Sequence, residues 1–514
     1  MNAFLFNYYL KKQLNHYTIK YNSVVVILLK ICAYAFTTIL KSLIVRTKDV
    51  NPQQEKNSLK IAVRLDGGIG DILVYSLWVK ELRKKLDLNC FIDVFPSKND
   101  AINFACFKEN TFVRRVYNAR YFDGALGKYD LAFIFRRFPL VVKSELNRKY
   151  VSAHNRTFLS KLVKEYELFY QQNKKFYLNN ARLDCAIDQY TLCKGEHRVQ
   201  QPDIANLLGI TTKTKPCLFI DFKNGEALLK DNNLRTYQYI TVTRSVGLGT
   251  NSEHNVRFWP LSYYAKLISL LKKDFPALKI VQLGPDSCEK IPNVDVSLLG
   301  KTTLEELKVV LKYSVLHIDG ECGMVHMKHF LSGTSAVIFG QTSVDYIGYP
   351  DNLNFKAKTC CPSGCEWIVD DWQTHCIREQ YPPKCIMALK PEEMYVKVKV
   401  RLETILASRK DVNVSTTAVS RQELAVLLKN KKTLAYNITD ENLNDIDIVF
   451  YTDDLNLAIG HHEKKFEFAP LNNLPESESK FDCIVIGKNS ISDLELLECS
   501  RLLGGNRAVY LCEK

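Results

Sequence analysis

No internal repeat and no low-complexity tract occurs in the 514 residues, so neither a repeat solenoid nor a biased, disordered chain is indicated. A secretory signal is also missing. The one long apolar stretch, residues 21–40, lies about 25 residues deeper than a signal peptide's apolar core and has no small-residue cleavage site, which argues against export. That stretch is interrupted by Lys30, so it is not a clean spanning segment. The sequence lacks G-x-G-x-x-G followed by an acid about 20 residues on, the fingerprint of a dinucleotide fold. It also lacks a basic helix with interleaved aromatics, which removes nucleic acid as the explanation of the net charge of +14. Disulfides are not indicated either. The 16 cysteines are diluted, and most stand singly in apolar runs (Cys90, Cys106, Cys217, Cys483, Cys512), as buried thiols of a reducing compartment do.

What is present is an ordinary folded composition, 46% apolar and 25% charged. The length exceeds a single core, which stops growing near roughly 250 to 300 residues, so two or three domains are expected. Charge divides the chain unevenly. Residues 1–60 hold nine Lys/Arg against Asp49 and Glu55, residues 411–514 hold 11 against 17 acids, and an excess of 13 positive charges falls on 61–410.

Read at helical pitch, Ser23, Lys30, Tyr34, Thr37 and Lys41 share one stripe of an otherwise apolar helix. A spanning helix would leave Lys30 near the bilayer centre at a cost of roughly 3 kcal/mol, whereas a helix lying in the interface keeps the stripe wet. Residues 1–57 are therefore expected to dock on an anionic membrane surface; the alternative is a helix packed on the protein's own core. From Leu59 short β-rich runs alternate with amphipathic helices: LKIAVRLDG, helix 71–86, FIDVFPS, RRVYNA, DLAFIFRR and KYVSAHN. Residues 156–235 read as mostly helical followed by a connection. A second series follows: YQYITVTRS, helix 262–275, LKIVQLGP, helix 304–314, VLHIDG, helix 323–332 and SAVIFGQ. Two α/β lobes, 58–235 and 236–410, with a cleft between them are expected. Residues 411–514 give TLAYNIT, DIVFYTDD and FDCIVIGK, the helix SDLELLECSRLL and then GGNRAVYLCEK, a small third α/β unit.

The first strand runs through Asp66-Gly67-Gly68-Ile69-Gly70-Asp71 into a helix. Gly67, Gly68 and Gly70 let the backbone approach a ligand, and a helix amino terminus favours negative charge. A carboxylate there would repel a phosphate, so Asp71 suits a general base facing a cleft; the bland alternative is an Asp capping its own helix. In the second lobe, Thr243-Arg244-Ser245 at a strand end and Arg257 before Trp259-Pro260 suit diphosphate recognition. Glu321-Cys322-Gly323-Met324-Val325-His326 again joins a strand to a helix. A lone histidine is more often core, but His326 on the first turn of such a helix is a functional candidate.

Together these residues resemble a family. IAVRLDGGIGDILVYSLWVKEL is similar to the opening of the glycosyltransferase family 9 heptosyltransferases, in which the Asp of a terminal Gly-Asp is the base, and Asp71 matches it. RFWP, LLGKTTLEEL, DGECGMVHMKHFL and VIFGQTS resemble that family's later motifs in order, over roughly residues 59–400. GYPDN, Cys365-Glu366-Trp367 and Trp372 look more like the branch that heptosylates bacterial autotransporters. The resemblance implies a GT-B fold of two Rossmann-like lobes. It implies an ADP-heptose-like nucleotide-sugar donor held by Thr243, Ser245, Arg257, Thr302, Glu321, Gly323, Met324 and His326, with no requirement for Mg²⁺. The expected activity is inverting transfer of a heptose-like sugar to a hydroxyl of a protein or cell-surface glycan, by a cytoplasmic enzyme peripheral to the inner face of a bacterial membrane. A catalytically lapsed sugar-nucleotide scaffold is the alternative, and a homo-oligomer is left open. Residues 1–57 and 411–514 have no counterpart in this resemblance, and the tail resembles the second half of a methyltransferase domain without its glycine-rich loop.

Five of the 16 cysteines fall within 26 residues. Cys361, Cys365, Cys376 and Cys385 are what a closed tetrahedral S₄ site requires, and such sites select zinc or iron in a structural role. Adjacent Cys360 could replace Cys361. The resemblance alone favours iron, because four cysteines hold an iron ion in the autotransporter branch.

Overall fold

The computed structural model describes residues 57–408, apart from 88, 99, 109, 111, 137–138, 180–194, 217, 245–255 and 359–373, and six further strands between 415 and 511. The amphipathic stretch 21–40 lies outside the described residues. Among those described, no helix is long and apolar enough to cross a membrane.

The first sheet is built on β1 (Leu59–Leu65), β2 (Cys90–Pro96), β3 (Arg115–Val116), β4 (Leu131–Phe135) and β5 (Pro139–Ser144), in the order β3-β2-β1-β4-β5. β1 pairs in parallel with β2 from Leu59↔Cys90 to Leu65↔Pro96 and with β4 from Ile61↔Leu131 to Leu65↔Phe135. Side chains alternate across a strand, and here both faces are covered. Leu59, Ile61, Val63 and Leu65 join the core beneath helix α1 (Ile69–Lys84), while Ala62 enters a separate cluster with Phe95, Phe122 and Ile134. The expected run KYVSAHN is not a strand. One edge of the sheet is β5, antiparallel to β4, with Pro139 at its first position, where a missing N–H costs least. Within KYVSAHN, the Ser152 hydroxyl accepts from the Asn155 N–H at 3.1 Å and opens helix α3 (Ala153–Asn179), which follows α2 (Asp100–Phe107).

After α4 (Phe222–Asp231), the second sheet comprises β6 (Tyr239–Val242), β7 (Lys279–Gln282), β8 (Val296–Ser297), β9 (His317–Gly320), β10 (Ser335–Phe339) and β11 (Leu353–Lys356). All its pairings are parallel, in the order β11-β10-β9-β6-β7-β8. Its helices include α5 (Leu261–Asp274), α6 (Leu304–Tyr313) and α7 (Gly323–Phe330), within a few residues of the expected bounds, and α8 (Pro391–Ser408), which is not among the expected helices. α6 begins with a reciprocal cap: Glu306 Oε2 accepts from the Thr303 N–H at 2.7 Å, and the Thr303 hydroxyl accepts from the Glu306 N–H at 3.3 Å. One face of the sheet packs Ile240, Ile280, Ile318 and Ile338 with Leu267 and Leu271 of α5 and Met394, Val398 and Leu402 of α8.

On the other face Val337 and Phe339 of β10 form a small cluster with Val325, Tyr346 and Ile347, but the rest is not a separate core. Tyr239 and Val281 belong to the same buried cluster as β1 and α1, joined through Val309 and Tyr313 of α6 and Met327 and Phe330 of α7. Buried Lys308 ties the lobes at the same place, donating to the Ala105 carbonyl at 3.1 Å and pairing with Glu305 at 2.9 Å. Strand order reverses between β1 and β4 in one sheet and between β6 and β9 in the other, and a parallel α/β sheet binds ligands outside the carboxyl ends of its strands at such a point.

The tail forms a third sheet, all parallel, from β12 (Ser415–Ala418), β13 (Thr433–Tyr436), β14 (Ile448–Thr452), β15 (Phe466–Phe468), β16 (Phe481–Ile486) and β17 (Leu503–Leu511), ordered β12-β17-β16-β13-β14-β15. The three expected apolar runs are β13, β14 and β16. The expected helix SDLELLECSRLL lies outside the described residues except for Leu503, which begins β17.

The amino termini of α1 and α7, one from each lobe, meet glycine against glycine. A Cβ on Gly323 would fall 2.3 Å from Ile69 Cγ2 and 3.2 Å from the Gly70 nitrogen. Gly323→Ala should therefore cost roughly 1–3 kcal/mol by overpacking, read as a lower urea midpoint with an unchanged slope. A midpoint equal to that of the unsubstituted protein would show that these helices do not touch.

Candidate active site

Asp71 is the third residue of α1, behind the cap residue Gly68. Gly67 has φ +138°, a conformation that L side chains avoid, and a Cβ there would lie 2.5 Å from Asp71 Cβ. The tight loop folds the carboxylate back on its own helix: the Gly68 N–H donates to Asp71 Oδ2 at 2.6 Å. The capping reading of Asp71 is thus realised, but by one oxygen only. Oδ1 forms an ion pair with Arg198, whose side chain is 13% exposed against 23% for that of Asp71. A carboxylate has about four lone-pair sites, so Asp71 keeps acceptor capacity toward the cleft.

Across the cleft, β9 leads into α7 through Glu321 and Cys322. The Arg257 guanidinium donates to Glu321 Oε2 at 2.7 Å and also to the Glu321 carbonyl. Thr243, fully buried at the end of β6, donates its hydroxyl hydrogen to Met324 Sδ at 3.5 Å. His326 Nδ1 bonds the Tyr349 hydroxyl at 2.6 Å, and its Nε2 stands 3.9 Å from Glu321 Oε1, outside hydrogen-bond reach. Gly70 meets this helix directly, since a Cβ on it would lie 2.8 Å from His326 Cδ2. Behind the α7 terminus, the Cys322 thiol donates to Asp319 Oδ2 at 2.8 Å, and Asp319 Oδ1 accepts from the Gly320 N–H at 2.7 Å. Burial pushes Asp319 up, against the pull of His317, and pushes the Cys322 thiol up, reinforced by Asp319.

Three imidazoles surround Tyr349. His329 stacks on its ring at 3.6 Å between centroids, His197 lies at 5.1 Å and His326 at 5.5 Å. Burial is the main force keeping all three neutral: it lowers His197 to about 4 and His329 to about 3. His326 is held well below the usual imidazole range by burial, then by the positive charge of Arg198.

The structure thus brings together Gly67, Gly68, Gly70 and Asp71 from one lobe with Thr243, Arg257, Glu321, Gly323, Met324 and His326 from the other. Thr302 stands apart from these contacts, partly buried just ahead of the α6 cap. Ser245 lies outside the described residues, as do Cys361 and Cys365. Cys376 and Cys385 are described and partly buried. Among the described residues no group of three or more His, Cys, Asp or Glu could hold a metal. Two participants escape sequence reasoning. Arg198 lies in a stretch without strand or helix periodicity, and Tyr349 lies in GYPDN, whose only signal is its likeness to a family branch. Chemically, the positive end of α7, whose Met324 and Val325 N–H groups bond the Cys322 sulfur, and the Arg257 guanidinium favour an anion on one side of the cleft. A carboxylate able to accept a proton stands on the other.

No protein-family model matches the sequence, and no curated protein matches it. Solved structures to which the chain is similar include the ADP-heptose lipopolysaccharide heptosyltransferase II of E. coli, 13% identical over 67% of this chain and 99% of that one, TM-score 0.43. Another is a glycosyl transferase family 9 protein from Veillonella parvula, 11% identical over 67% of this chain and 98% of that one, TM-score 0.45. A third is TibC, a bacterial iron-containing dodecameric glycosyltransferase from enterotoxigenic E. coli, 12% identical over 69% of this chain and 81% of that one, TM-score 0.44.

Proposed function

We propose that the chain is an inverting glycosyltransferase that moves a heptose-like sugar from an ADP-heptose-like donor to a hydroxyl of a protein Ser/Thr or of a cell-surface glycan. The observation that carries this reading is the contact of α1 and α7 through Gly70 and Gly323, which sets the Asp71 carboxylate opposite an anion-favouring helix terminus. The order of motifs in the sequence supports the same donor class. In the reaction the acceptor oxygen attacks the anomeric carbon from the Asp71 side and a new C–O bond forms. The bond from that carbon to the diphosphate oxygen breaks, its electron pair leaves with ADP, and the acceptor proton passes to Asp71. The α7 amides and Arg257 hold the charge that grows on the departing diphosphate, a role that fixed dipoles and a guanidinium fill without Mg²⁺. Glu321 pairs with Arg257 and so aims it. His326, kept neutral, can donate or accept at a sugar hydroxyl without adding charge.

The engagement of both Asp71 oxygens favours a second reading, a lapsed scaffold that binds sugar nucleotides without turnover. One experiment separates the two. Asp71→Asn should lower ADP release from ADP-heptose by about 10²–10⁴-fold, the usual contribution of a positioned base, with ADP affinity unchanged. Equal rates in variant and wild type would remove the base; binding without turnover in both would favour the scaffold.

We further infer that Cys361, Cys365, Cys376 and Cys385 hold one structural zinc or iron. Cys385 is packed against the buried cluster beneath α5 and α8, so a metal there would pin the 359–385 segment to the second lobe. Thiolate ligands fit either metal, which would supply cross-linking and no step of the transfer. Elemental analysis should find about one metal per chain and loss of it in Cys376→Ser, with a lower melting temperature. Full occupancy in that variant would contradict the ligand set.

A further inference from the structure

Asp71 is held at Oδ2 by the N–H of its own helix cap, a local contact that leaves the carboxylate plane free to turn about the broad terminal torsion of an aspartate. The second tie comes from elsewhere in the fold. Arg198 belongs to neither sheet; it opens a single 3₁₀ turn, Arg198–Gln200, in the connection between the lobes. That turn is rigidly made. The His197 Nδ1 accepts from the Val199 N–H at 3.2 Å, and the Gln200 side-chain oxygen accepts from the His197 N–H at 3.0 Å. The next residue, Gln201, accepts from the Tyr346 hydroxyl of the second lobe at 2.7 Å. A guanidinium presented from so fixed a mount, and paired with Oδ1, sets the plane of the carboxylate as well as its position. The second-lobe groups within electrostatic reach of it are Tyr349 and the neutral ring of His326, with the neutral rings of His329 and His197 packed on Tyr349. None of these competes with Asp71 for the cation. Glu321, which could, is engaged by Arg257.

We infer that Arg198 is the positioning residue of the base: by fixing Oδ1 it orients the Asp71 carboxylate so that its remaining lone pairs face the attacking hydroxyl. The inference rests on the reading of Asp71 as that base. A carboxylate so aimed lowers the barrier of the chemical step and leaves donor binding alone, so the loss on removing Arg198 falls on kcat and not on KM. No substrate contact by Arg198 is required.

The test uses full-length protein, ADP-heptose as the donor and water as the acceptor, with released ADP as the readout. Arg198→Met should lower kcat by about 10- to 100-fold, the size expected when a reacting group is misplaced by about 1 Å, with KM within about twofold of wild type. Arg198→Lys, which keeps the charge but not the fork, should retain an intermediate rate. Arg198→Gly should regain activity when guanidinium is added at a non-denaturing concentration, a rescue that a merely structural role would not produce. Melting temperatures of all three variants are taken alongside, and the lysine variant carries the test if the smaller side chains fail to fold. A wild-type rate in Arg198→Met overturns the inference, as do a loss confined to KM and a folded glycine variant that guanidinium does not restore. Asp71→Asn distinguishes the levels: if it is inactive while Arg198→Met is normal, only the positioning role falls. If Asp71→Asn turns over normally, or wild type leaves ADP-heptose intact, the underlying reading falls with it.

Discussion

Two helix amino termini meeting glycine against glycine is the constraint on which the rest of the structure depends. Gly70 on α1 and Gly323 on α7 let helix ends from different lobes approach so closely that an added Cβ would fall 2.8 Å from His326 Cδ2 or 2.3 Å from Ile69 Cγ2. That approach makes one core out of two lobes, because the apolar faces of α1, α6 and α7 then close on each other. It also joins two switch points, where open α/β sheets bind ligands outside the carboxyl ends of their strands. The same contact therefore builds the core and places the site.

Charge at the junction is arranged in pairs. Asp71 faces Arg198, and Glu321 faces Arg257, each pair drawing its acid and its base from different segments. Around them burial keeps His197, His326 and His329 neutral, so these rings fill space beside a guanidinium without repelling it. Buried ion pairs contribute little net stability, since desolvation offsets much of their attraction. Their value here is orientation: each pair aims one group at the cleft.

Most of the scaffold is legible in the sequence, for a physical reason. Strands covered on both faces read as apolar runs, continuous in β4 and broken in β1 only by Lys60 and Arg64, and the glycine-rich turn before Asp71 can be read as a close approach. Edges and irregular segments are less legible. β5 is short, begins with Pro139 and pairs antiparallel, so it shares no pattern with its neighbours, and KYVSAHN has strand-like residues but is claimed by the Ser152 cap of α3. In the site, Asp71, Arg257, Glu321 and His326 carry local signals because each sits at a strand end or a helix start. Arg198 carries none: its meaning comes from a contact with a residue far away in the chain, which no local spacing encodes.

The central claim is that an anion of the donor sits at the α7 terminus and the base faces it from α1. A crystal structure of the full-length protein grown with ADP tests it most directly. The account predicts the diphosphate at hydrogen-bond distance, about 2.7–3.2 Å, from the backbone N–H groups of Gly323 or Met324 and from Arg257, with the Asp71 carboxylate across the cleft from the terminal phosphate. ADP bound with its phosphates away from the start of α7, or lying against Asp71 itself, would contradict it.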